Sequence, residues 1–107
     1  MQDRRKFERV ELPDSAKVHV EDAQGKRLGT VKMIGRGGML VEIAEGLTAG
    51  SRHEMYIVDP SEGIRREVQV VIRYSMPNGV GCEFDDLNPD AAVEVGVIIG
   101  KYYSAKK

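Results

Sequence analysis

The amino-acid sequence predicts an all-β domain, a six-stranded antiparallel barrel closed by one C-terminal α-helix. Three observations lead there. Short segments alternate apolar and polar residues at period two, turn signals separate them at regular intervals, and a helical period appears only after Asn88. Short strands joined by tight turns favour an antiparallel barrel over a βαβ arrangement. At 107 residues the chain has the size of one domain able to bury one core. Its 41% hydrophobic and 31% charged content is that of a folded domain with a solvated surface, and excludes a disordered chain.

Residues 1–12 are polar and charged and read as a flexible N-terminal arm carrying Arg4, Arg5 and Arg9, ahead of a single barrel domain over 13–107. Pro13-Asp14 breaks the chain before the first strand, in which Ala16 to Glu21 alternate as a half-buried segment. Gln24-Gly25 turns the chain into a second strand, Leu28 to Ile34. Gly35-Arg36-Gly37-Gly38 then makes a connection so tight that it demands positive φ or close backbone approach. Met39 to Ile43 is the third strand, and Leu47 to Gly50 a loop. The fourth strand, His53 to Val58, ends in the turn Asp59 to Gly63. Glu67 to Tyr74 is rich in β-branched residues and forms the fifth strand. Pro77-Asn78-Gly79 turns it into the sixth, Val80 to Phe84.

Asn88-Pro89-Asp90 supplies an N-cap, a proline for the first helical position and an acid for the positive end of the dipole. Ala91, Val95, Ile98 and Tyr102 recur at helical spacing behind it. Gly96 and Gly100 weaken that helix, or permit close packing on the barrel.

Formal net charge is −1, so no global field holds a polyanion, and an anionic ligand needs local cations. A nucleic-acid-binding barrel combines a basic groove with aromatic platforms; at 6% aromatic content and this charge, neither DNA nor RNA is an expected partner. Cys82 is the one cysteine, which suits a reducing compartment. The charged amino terminus has no apolar run behind it, so a cytoplasmic location without membrane insertion is expected. His19 and His53 lack partners at metal-ligand spacing, and no serine has nucleophile-elbow context. The sequence therefore points to no metal and no enzyme.

Arginines are more informative. Arg5 and Arg9 are four apart, with Arg4 and Lys6 beside them. A guanidinium forks two donors onto the O6 and N7 acceptors of guanine or onto phosphate, and stacks flat on a base. Asp3, Glu8 and Glu11 interleave with them, and a solvated charge run fits the same residues. The Gly35–Gly38 turn offers backbone N–H groups to a phosphate or base edge, or serves as a hairpin whose glycines are steric.

The order of these pieces resembles the PilZ family. Its RxxxR arm is matched by Arg5-Lys6-Phe7-Glu8-Arg9, and its D/N-x-S-x-x-G turn falls on Met33-Ile34-Gly35-Arg36-Gly37-Gly38. Gly79-Val80-Gly81-Cys82-Glu83-Phe84 looks like the family's closing strand. The resemblance implies a bacterial signalling module, a barrel that binds the second messenger cyclic di-GMP on its outside, with the arm arginines on guanine and phosphate. Arg5, Arg9 and Gly38 match the pattern, whereas Met33 and Gly35 replace its polar residues. Arg36, Gly37 and Arg73 complete the candidate site. Two functions follow: a cyclic di-GMP receptor acting on an unidentified protein partner, or an adaptor of the same fold that works by protein contacts without nucleotide.

Overall fold

The computed structural model describes residues 9–42 and 47–105. Seven strands, β1 (Arg9–Glu11), β2 (His19–Glu21), β3 (Arg27–Gly35), β4 (Gly38–Glu42), β5 (Arg52–Asp59), β6 (Ile64–Met76) and β7 (Gly79–Phe84), precede one helix, α1 (Pro89–Ala105). They occupy six positions of a closed antiparallel barrel. β1 and β2 lie end to end against the same edge of β3, β1 opposite residues 33–35 and β2 opposite residues 27–30. The ring then runs β2–β5–β6–β7–β4 and closes through the β3–β4 ladder. A full ring leaves no long sheet edge open to pair with another chain.

Residues 9–12 are therefore part of the barrel, not of the arm to which the sequence reading assigned them. Val10 and Leu12 are buried, Arg9 and Glu11 point outward, and the Leu12 amide donates to the Lys32 carbonyl at 2.9 Å. The charges of the preceding residues conceal this two-residue alternation. Pro13 interrupts the strand before the pairing resumes at Val18, whose carbonyl accepts from Val31 at 3.1 Å.

Turn chemistry follows the sequence closely. The Asp22 carboxylate accepts from the Gln24 and Lys26 amides, both at 2.9 Å, and Gly25 takes a left-handed φ of 87°. Pro60–Glu62 is a 3₁₀ turn capped by the Asp59 carboxylate and ended by Gly63 at φ 67°. Asn88 caps α1, its Oδ1 accepting from the Ala91 amide at 2.8 Å.

The core is one cluster. Val18, Val20, Ile34, Val41, Met55, Ile57 and Ile72 fill the barrel, and Ala91, Val95, Ile98, Ile99 and Tyr102 bring the apolar face of α1 onto it. α1 packs against β1, β3 and β6. Two polar ties fix its angle: Arg66 on β6 with Glu94 at 2.9 Å, and Lys101 with Glu62 at 3.3 Å and the buried Asp59 at 3.6 Å. Close packing is not what Gly96 and Gly100 provide. A Cβ on either would meet nothing within 4 Å. No helix among the described residues is long and apolar enough to cross a membrane.

Candidate functional site

Two grooves open on the outside of the barrel and share the Met33–Leu40 pair, which faces across the β3–β4 ladder, as a common wall. One, of about 540 Å³, reaches Met76 and Tyr102, and its ionic groups are Glu11, Asp14, Glu42 and Lys32. The other, of about 600 Å³, lies along the β3–β4 turn and the β6–β7 pair, and its ionic groups are Arg9, Arg36, Arg73 and Glu83. Their sizes are similar and their charges opposite: three carboxylates against one ammonium, and three guanidiniums against one carboxylate. A phosphate-bearing ligand is favoured in the second alone.

Local structure explains how that second groove is built. Val10 turns into the core, so Arg9 turns out; it sits opposite Gly35, which has no side chain to compete with the guanidinium. Ile34 and Met39 face each other across the β3–β4 ladder and are both buried, leaving Arg36 and Gly37 at the exposed tip. The Phe84 amide donates to the Gly37 carbonyl at 2.9 Å and ties the tip to the end of β7. Of the two demands read from the sequence for this turn, close approach is the one the structure shows. A Cβ on Gly38 would lie 2.2 Å from the Cys82 carbonyl oxygen, while the left-handed glycines among the described residues are Gly25, Gly50 and Gly63.

Arg73 reaches the groove through a bulge. Ile72 pairs with Cys82 and Tyr74 with Gly81, so Arg73 is the extra residue on β6, and its Nε donates to the Glu83 carboxylate. Among the described residues Arg9 and Arg36 have no ion-pair partner. Their donors face solvent.

Seven of the nine candidate residues thus line one groove: Arg9, Met33, Gly35, Arg36, Gly37, Gly38 and Arg73. Arg4 and Arg5 lie outside the described residues. Met33 contributes an apolar wall where a polar contact is expected of the family pattern. Arg65 and Arg66 belong elsewhere, Arg65 with Glu21 at 3.3 Å and over the Tyr56 ring at 4.0 Å, Arg66 with Glu94. Sequence reasoning missed Tyr74, Leu40 and Leu87 as lining residues. For Tyr74 the signal lay in Gly81, but reading it requires the bulge at Arg73 that sets the register.

Among the described residues, the thiol that lines the groove is that of Cys82. Burial pushes the Cys82 thiol up to about 11, which suppresses its thiolate. His19 lies between the Lys17 carbonyl, 3.0 Å from Nδ1, and the Glu21 carboxylate, 2.8 Å from Nε2; the His19 hydrogen bond holds the Glu21 carboxyl below its usual range, with Arg65 adding to it. That cluster stands on the β2–β5–β6 wall. Among the described residues no group of three or more His, Cys, Asp or Glu could hold a metal ion.

The fold is shared with known proteins. The MrkH–c-di-GMP complex of K. pneumonia superposes with a TM-score of 0.74 at 14% identity, covering 99% of this chain and 56% of that one. The Bacillus subtilis inhibitor of motility, MotI/DgrA, gives 0.70 at 20% identity, covering 99% and 54%. The chain therefore spans little more than half the length of either. No curated protein matches it in sequence. The family profile of the PilZ domain matches residues 3–99. That match takes in β1 to β7 and most of α1, and with the barrel it describes it establishes that the chain belongs to the PilZ domain family.

Proposed function

We propose that this chain is a non-catalytic receptor for cyclic di-GMP, held in the groove between the β3–β4 turn and the β6–β7 pair. One observation carries the reading. A chain of net charge −1 gathers Arg9, Arg36 and Arg73 around a glycine turn, against a single carboxylate. Guanidiniums supply both chemistries that the ligand needs, bidentate donation to phosphate or to the guanine O6/N7 edge, and a flat face for a base. Arg4 and Arg5 of the preceding arm would add to the clamp. The groove's size suits a small molecule. A cyclic di-GMP complex of the same fold, MrkH, supports the choice of ligand.

Met33 and Gly35 set the strength. Each missing hydrogen bond to ligand costs roughly 0.5–1.5 kcal/mol, so two weaken binding by about fivefold to somewhat over a hundredfold relative to a groove with both polar groups. Calorimetric titration with cyclic di-GMP, with GMP as control, tests the proposal. Micromolar or tighter binding is expected, and Arg9→Ala is expected to weaken it at least tenfold. Unchanged affinity in Arg9→Ala would remove the clamp.

A second reading rests on the Met33–Leu40 wall: an apolar ridge between two grooves suits a protein side chain better than a guanine edge. On this reading the chain is an adaptor that no longer binds nucleotide and engages a protein partner directly. The absence of binding heat at high cyclic di-GMP concentration, together with a nucleotide-insensitive pulldown, would favour it.

A further inference from the structure

Tyr74 is the largest apolar group at the rim of the arginine groove, and its placement is unusual for a side chain on a barrel wall. Before the bulge β6 alternates normally, with Val68, Val70 and Ile72 buried; after it Arg73 and Tyr74 are both exposed. The slip turns Tyr74 outward opposite Gly81. A Cβ on Gly81 would lie 2.3 Å from Cζ, 2.4 Å from Cε2 and 2.8 Å from Cε1 of the Tyr74 ring. Near-equal distances to three consecutive ring carbons belong to a point above the ring face, since an in-plane approach would leave the third carbon well beyond the other two. One face of the ring therefore lies flat on Gly81. Tyr74 nevertheless remains 49% exposed, so the opposite face is open.

Sheet packing accounts for half of this arrangement. An aromatic ring laid over a cross-strand glycine covers backbone and adds sheet stability. It does not account for the open face, nor for a bulge that turns this ring into the groove lined by Arg9, Arg36 and Arg73.

We propose that the open face of Tyr74 is a stacking surface for one purine base of the ligand, and that Gly81 is glycine in order to seat the ring. The inference rests on the nucleotide reading of the groove and deepens it. Stacking uses the π face that every base has and needs no edge hydrogen bonds. It supplies affinity where Met33 and Gly35 offer no side-chain donor or acceptor. The phosphates are left to the guanidiniums, and Arg73, next in sequence and paired with Glu83, stands beside the stacked base.

Two variants test this in the intact chain. Tyr74→Leu keeps an apolar cover over Gly81 but removes the π face. It is expected to lose roughly tenfold in cyclic di-GMP affinity, the scale of one base–aromatic stack, with little change in melting temperature. Tyr74→Trp introduces the chain's only tryptophan. Its emission is expected to be quenched saturably by cyclic di-GMP, with the same midpoint as calorimetry. If the wild type binds but Tyr74→Leu binds equally well and the Tyr74→Trp emission does not respond, Tyr74 is sheet packing alone and the nucleotide reading stands without it. If Tyr74→Leu fails to fold, the Tyr74→Trp titration decides by itself. A wild type that binds no cyclic di-GMP overturns both.

Discussion

Gly38 and Gly81 sit on neighbouring strands of the same groove, yet different neighbours require them to be glycine. A Cβ on Gly38 would press into the Cys82 carbonyl at 2.2 Å, a backbone atom that moves only if the β4–β7 ladder moves. The three atoms nearest a Cβ on Gly81 all belong to the far end of the Tyr74 side chain, which can swing away. Gly38→Ala is accordingly expected to destabilise the barrel by about 1–3 kcal/mol, as overpacking does. Gly81→Ala is expected to cost less and to lower cyclic di-GMP affinity by displacing the ring. Urea unfolding of the two variants, followed by titration of Gly81→Ala, checks the contrast. Equal midpoint losses would mean that the Tyr74 ring is as immovable as backbone.

At the scale of elements, α1 shows both a helix signal that works and one that costs. Asn88 caps the helix through the Ala91 amide, and Asn88→Ala is expected to lose about 1 kcal/mol. Gly96 and Gly100 are inside the helix with open space where a Cβ would go. Gly96→Ala and Gly100→Ala are each expected to gain roughly 0.5–1 kcal/mol, because alanine loses less backbone freedom on folding. For a domain of this size that corresponds to about 4–8 °C of melting temperature per kcal/mol. Thermal denaturation followed by circular dichroism reads both signs. A loss on Gly96→Ala would show that something packs on that face in solution. The β3–β4 hairpin illustrates the opposite case, since a Cβ on Gly38 would have no room against the Cys82 carbonyl.

For the whole molecule the decisive quantity is where charge lies, not its sum. Two grooves of about 540 and 600 Å³ share one wall, with three carboxylates among the four ionic groups of the first and three guanidiniums among the four of the second. Raising salt from about 0.01 M to 1 M shortens the Debye length from roughly 30 Å to 3 Å. Affinity for cyclic di-GMP is expected to fall several-fold over that range. Stability is expected to change little, because exposed ion pairs such as Arg52–Asp85 and Arg73–Glu83 contribute little in water. Titration at the two salt concentrations checks this, and salt-independent affinity would take the guanidiniums out of the phosphate contact.

Period and turn chemistry are local properties, and what depends on them was legible in the sequence: six barrel positions, the capped helix, and the turns at Gly25 and Gly63. β1 escaped because Arg9 and Glu11 carry charge on the outward positions of a strand with one inward position, Val10, followed by the buried Leu12 just beyond its end. Tyr74 escaped for a different reason. Its direction depends on a one-residue slip between β6 and β7, and a slip of one exchanges the two faces of a strand without leaving any mark on the periodicity of β7. The sequence by itself determined which elements form and which residue types can meet an anionic nucleotide. Only the closed barrel decided that Arg9 and Arg73, 64 positions apart, share one groove and that an aromatic face opens beside them, because ladder register is a relation between strands and is written in neither one alone.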